Sequence, residues 1–114
     1  MRSYRSRDVE KVRDITRQYG VTHGEPLDWG WEAVKRLGIQ DLQQPDWGDA
    51  PLAQNGERLV RGEQGDEDAE VPVFWGCGVT PQEAVMNASL SRRVIAHAPG
   101  HMLVLDARDD DIKR

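Results

Sequence analysis

Apolar residues recur at helical spacing in two stretches of the first third of the chain. Val9, Val12, Ile15 or Thr16, and Tyr19 share one stripe with charges elsewhere, which predicts a helix from Arg7 to about Tyr19. Ser6 stands where an N-cap is needed and Gly20 where a stop is needed. Met1 to Tyr4 reads as a short strand before it. Beyond the turn at His23-Gly24-Glu25-Pro26, Trp31, Val34 and Leu37 mark the buried side of a second helix, which Gly38 ends.

The periodicity then disappears. From Gln43 to Glu70 prolines, glycines and acids crowd the chain, and Ala53 to Glu70 reads as a surface loop. Order returns at Val71. VPVFW is a short apolar strand in which Pro72 suggests a strand start or a sheet edge, because proline cannot donate to a ladder. After Gly76-Cys77-Gly78, Thr80 at the N-cap, Pro81 at the first position and Glu83 closing a capping box predict a helix to about Leu90. Val94 to His97 and Met102 to Asp106 read as two further strands around Pro99-Gly100, and Arg108 to Arg114 as a fraying tail. Helices and strands alternate, so the expected class is α/β, a mixed sheet with flanking helices.

Composition narrows the partners. At 114 residues the chain is the size of one domain and has material for one modest core. A net charge of −5 argues against nucleic acid, which requires a basic face. The arginines and lysine near the N-terminus are interleaved with acids and read as a solvated helix face. No apolar run is long enough for a bilayer. One cysteine permits no internal disulfide, and no signal-peptide pattern is visible. Both point to the cytoplasm or, in a eukaryote, the mitochondrion.

Chemistry gathers in the last third. The first turn of a helix has backbone N–H groups without intrahelical partners, at the positive end of the macrodipole. A glycine-rich approach lets a ligand reach them, so Gly76, Cys77, Gly78, Thr80 and Gln82 are candidates for holding a carboxylate or phosphate. Cys77 reads either as a small packed residue or as a stabilised thiolate. His97 and His101 are four apart, but Pro99-Gly100 excludes a regular helix between them. A turn centred on that pair would link Ala98 to His101 and His97 to Met102, directing the imidazoles to opposite faces. One histidine is then a candidate acid/base and the other structural, with the choice open. His23 is a further candidate because loops carry function. Asp49, beside Trp47-Gly48, reads either as a turn former or as the partner of a histidine. Arg2 is a candidate carboxylate clamp.

Five blocks in order carry a resemblance: MRSY (Met1 to Tyr4), THGEP (Thr22 to Pro26), LGIQDLQQPDWGD (Leu37 to Asp49), VPVFWGCGVTPQ (Val71 to Gln82) and HAPGHM (His97 to Met102). Together they resemble the C-terminal part of the D-glutamate cyclase family, grouped with the hydro-lyases. The resemblance implies a lyase that closes D-glutamate to 5-oxo-D-proline with loss of water, without cofactor or metal ion. It implies that the chain is the C-terminal portion of a larger two-part α/β fold. A small carboxylate is the implied ligand, and a second copy or a complementary N-terminal half is the implied macromolecular partner.

Two departures qualify the match. Many members carry a second histidine after THGEP, where this chain has Asp28 followed by Trp29-Gly30-Trp31. Family proteins are also longer, with an N-terminal region bearing its own glycine, cysteine and arginine motifs, and Met1 aligns with an internal methionine. The chain therefore reads as truncated, with weak or no activity expected of it alone. A carboxylate-binding or regulatory fragment without catalysis is the first alternative. A metal site built from His23, His97, His101 and an aspartate is the second.

Overall fold

A computed structural model describes residues 1–101 and 104–114. Its centre is a three-stranded sheet in the order β1-β3-β2, with β1 at Arg2–Arg5, β2 at Asp28–Trp29 and β3 at Glu70–Phe74. Helices α1 (Val9–Arg17), α2 (Trp31–Arg36) and α3 (Val79–Asn87) flank it, and α4 (Asp109–Ile112) lies near the C-terminus. The mixture of strands and helices expected from the sequence is present, and both strand pairings are antiparallel. Among the described residues, no helix is long and apolar enough to cross a membrane.

The strand VPVFW forms, but at the centre of the sheet and not at its edge. Pro72 lies opposite Ser3 and is fully buried. The physical reason is local. In an antiparallel pair a residue's N–H and C=O point to the same neighbour. Pro72 C=O accepts from Gly30 N–H at 2.8 Å on the β2 side. Its missing donor therefore faces the point where β2 has ended and the chain turns into α2, and no ladder bond is lost. Gly30 makes that turn at φ +80°, where a side chain would be strained.

Several sequence expectations shift. Ser6 does not cap α1. Its amide donates to Ala69 O at 2.9 Å and that of Arg7 to Glu67 O at 3.0 Å. These bonds draw Ser6–Asp8 into a 3₁₀ turn, and the α-helix begins only at Val9. Its stripe resolves to Val9, Val12, Thr16 and Tyr19, with Ile15 half-exposed. The segment expected as a surface loop is irregular but anchored, through those two bonds, a Leu52–Arg58 bridge and the buried Leu59.

The Thr80–Glu83 capping box does not form. Helix α3 starts two residues earlier, with Gly78 at the N-cap, because Thr80 Oγ1 accepts the Cys77 N–H at 3.1 Å and thus serves the preceding loop. The strand expected at Val94 to His97 is absent; these residues are exposed and irregular. Of the strand expected at Met102 to Asp106, Met102 and Leu103 lie outside the described residues, and Val104 to Asp106 has no ladder. The tail expected to fray instead carries α4, with the Arg108 amide donating to Asp111 Oδ2 at 2.9 Å and that of Arg114 to Gln18 O at 2.8 Å.

Candidate functional site

Five apolar residues form the described core: Val9, Ala33, Leu59, Val73 and Phe74. Strand β3 carries two of them and ends beside the glycine loop, so the loop's position is set by the best-packed strand. Directly after it, the Trp75 indole N–H donates to Gly24 O at 3.0 Å, and the ring meets Tyr4 edge-on at 6.1 Å. That bond ties the end of β3 to the turn carrying His23.

The turn is held from its other side as well. Gly24 stands at φ +61° and its amide donates to Tyr19 O at 3.1 Å. Glu25 lies between two guanidiniums of α1, with Arg13 Nη2 at 2.6 Å and Arg17 Nε at 3.2 Å. Arg13 also lies 4.3 Å over the Trp29 ring. Hydrogen bonds from Arg17 and Arg13 hold the Glu25 carboxyl below the ordinary carboxylate range. Such stabilisation is complete above the unfolded value of 4.5 and is lost as pH falls through the lower folded value. The melting temperature is therefore expected to drop below about pH 4.5, and Glu25→Gln should flatten that drop. Thermal melts of both proteins between pH 7 and 3 check this.

So supported, His23 reaches the glycine loop. Its Nδ1 lies 2.7 Å from Gly76 O. A carbonyl oxygen only accepts, so Nδ1 carries the proton, and the neutral ring presents a free lone pair on Nε2. His23, Thr22 and Leu27 face Gly76, Cys77, Gly78 and Thr80 across an open cleft of about 500 Å³.

Cys77 is exposed, which overturns the packed-residue reading. Partial burial pushes the Cys77 thiol up, but the amides of Val79 and Thr80, the Thr80 hydroxyl and the Met1 amino group together bring it below the ordinary thiol value. Thr80 Oγ1 sits 3.9 Å from Sγ while accepting the Cys77 amide. The α3 N-terminus is therefore already serving a side chain of the protein. Alkylation by iodoacetamide should reach half its maximal rate at a lower pH than for a free thiol, and Thr80→Val should raise that midpoint. An unshifted midpoint in the variant would remove Thr80 from the arrangement.

The other candidate residues separate into two groups. His97 joins the loop: its ring stands against Gly78 so closely that a Cβ there would collide with Nε2 and lie 2.9 Å from Cε1. The Gln82 amide holds it by donating to His97 O at 3.0 Å, which occupies the donor expected for substrate. His101 stays outside. The Ala98–His101 turn forms, with a 3.0 Å bond and Gly100 at φ +77°, but His101 Nδ1 turns to Pro99 O at 3.2 Å. The expected partner pairing of His97 with Met102 lies outside the described residues. Asp49 orients none of the three histidines, since each Nδ1 faces a backbone carbonyl. It lines a groove of about 610 Å³ on the other side of Cys77, with Met1, Leu37 and Trp47. Arg2 is exposed and borders a third cleft with Asp49, away from His23. Among the described residues no three His, Cys, Asp or Glu side chains converge as a metal would need.

Sequence reasoning missed Trp75 and Glu25 as supports of the site. The signal for Trp75 was an aromatic directly before a glycine loop, where an indole N–H needs a partner. Glu25 carried no signal, because its partners lie on α1.

The five blocks named above thus converge. Met1, His23, the 37–49 segment and His97 all meet the loop from Gly76 to Thr80. The sequence profile of D-glutamate cyclase matches residues 1–106. A protein of Schizosaccharomyces pombe named "Putative hydro-lyase C5H10.01" is 41% identical over 93% of this chain and 31% of its own length. "Putative hydro-lyase YcsI" of Bacillus subtilis is 39% identical over 98% of this chain and 37% of its own. "Putative hydro-lyase" of Dinoroseobacter shibae is 43% identical over 97% and 36%. The chain spans about a third of the length of these relatives. No solved structure matches it.

Proposed function

The chain belongs to the D-glutamate cyclase family, and on that premise we propose that it forms one wall of a hydro-lyase site that closes D-glutamate to 5-oxo-D-proline with loss of water. The supporting observation is the convergence of the five blocks on Gly76 to Thr80, from positions as far apart in the chain as Met1 and His97.

The reaction moves two protons from nitrogen to oxygen. The substrate ammonium gives one to His23 Nε2, and the freed amine attacks the γ-carboxyl carbon, forming the C–N bond. The second nitrogen proton follows as the tetrahedral intermediate collapses. The C–O bond breaks and the oxygen leaves as water carrying both protons. His23 is fitted to this traffic because its Nδ1–H is fixed on Gly76 O, which leaves Nε2 as the basic nitrogen of a ring that lines the cleft.

The loop from Gly76 to Gln82 holds one substrate carboxylate at the positive end of α3. There it competes with the Cys77 thiolate for the same amides, because two anions in one site oppose each other. D-glutamate should therefore slow alkylation of Cys77. The test measures that protection together with the appearance of 5-oxo-D-proline. Unchanged alkylation at saturating D-glutamate would remove the site assignment. Protection without product would instead support the binding-only reading, which the exposure of His23, Cys77 and Thr80 to solvent favours.

A further inference from the structure

The groove on the far side of Cys77 is apolar where a free protein would bury it. Met1 is 39%, Leu37 45% and Trp47 50% exposed, Pro51, Phe74 and Val79 add apolar wall, and Asp41, Asp46 and Asp49 stand among them. The exposure is not confined to the groove, since Leu27 and Ile95 are 69% and 88% exposed. The whole chain presents 9099 Å² to solvent. A compact monomer of its mass presents roughly 6,300 Å². The radius of gyration, 15.9 Å, likewise exceeds the roughly 13 Å of a compact domain of this length.

The excess, about 2,800 Å², lies far above the roughly 800 Å² per partner of an ordinary interface and, counted on both partners, at the upper end of obligate ones. We infer that the groove bounded by Leu37, Trp47 and Val79 is one side of an obligate interface whose occupant is the remaining two thirds of the family fold. The same surface is covered whether that occupant is joined to this chain or supplied as a separate polypeptide. Its identity follows from two observations. Relatives that match nearly all of this chain are about three times as long, so the family fold contains a polypeptide of the size needed. The groove also runs up to Cys77, in the loop on which the five blocks of this chain meet, so whatever fills it faces the proposed site. The occupant's contacting surface is accordingly mixed, apolar against Met1, Leu37 and Trp47 and polar where it meets Asp41, Asp46 and Asp49.

The inference concerns assembly and is read by binding, so its failure is separate from failure of the cyclase reading. The chain is produced together with the part of the Bacillus subtilis relative that it does not match, and the complex is analysed by sedimentation. A 1:1 complex is expected, weakened at least tenfold by Trp47→Asp, an exposed position whose change leaves the core intact. A chimera in which this chain replaces the matching third of that relative gives a second reading, independent of whether the partner segment folds alone. Amides of residues 37–49 should exchange at least tenfold more slowly there than in the chain by itself. A self-associated dimer of the chain, a complex indifferent to Trp47→Asp, or equal exchange in a cooperatively folded chimera would overturn the inference.

Discussion

Replacing His23 with glutamine is expected to lower ring closure by about 10²- to 10⁴-fold, the range of a lost general base. Glutamine can keep a donor to Gly76 O and so preserve the turn, but it has no basic nitrogen to take the ammonium proton. The loss should therefore fall on kcat, with KM nearly unchanged. The measurement uses whichever assembly of the chain turns D-glutamate over, alone or with the complementary portion of the fold. His101→Gln is the control. Its ring turns to Pro99 O and does not line the cleft of His23, so its turnover should change little. Equal losses in both variants would mean that the geometry of His23 does not carry the proton transfer.

Replacing Val73 with alanine should cost about 2–3 kcal/mol of unfolding free energy, from lost transfer energy plus the cavity left behind. Val73 is completely buried at the centre of the sheet, opposite Arg2 on one side and Trp29 on the other. Few residues share the load with it. A domain stability of about 5–15 kcal/mol makes this a large fraction. Ile95→Ala, at an 88% exposed position, should stay within about 0.5 kcal/mol. Urea unfolding of the two variants beside the parent decides the matter. A loss below about 0.5 kcal/mol for Val73→Ala would show that the sheet centre is not the core.

These two effects sit at the ends of one mechanical chain. Val73 fixes β3, β3 delivers Trp75, and Trp75 holds the turn that presents His23. A destabilised sheet should therefore also loosen the site, and a modest fall in activity of Val73→Ala below its unfolding range is consistent with that coupling.

Local chemistry was legible wherever a pattern acts within a few residues. The stripe of Val9, Val12, Thr16 and Tyr19 marks α1, Gly38 at φ +71° ends α2, and the apolar run at Val71 marks β3. The errors have one origin. Pro72 reads as a strand start or a sheet edge because its missing donor matters only against an unknown neighbour, and Gly30 supplies one that asks nothing of it. Thr80 carries every mark of an N-cap, yet its hydroxyl is taken by the Cys77 amide one loop earlier. Ser6 loses its capping role differently, because its backbone amide donates to Ala69 O and draws Ser6–Asp8 into a 3₁₀ turn ahead of α1. In each case a donor or acceptor visible in the sequence found a partner that the sequence does not order.

By itself, then, the amino-acid sequence determined the class of the fold and the family, and it named the candidates for chemistry. These depend on residue identity and short-range spacing. Tertiary structure alone decided which of them meet. It brought His23 to Gly76 and His97 to Gly78, turned His101 away, and put Asp49 and Arg2 on other surfaces. It also exposed Cys77 and gave its thiol the amides of the α3 N-terminus. The reason is physical. A hydrogen bond acts over about 3 Å in space, with no regard to separation along the chain, so only packing can choose its partners.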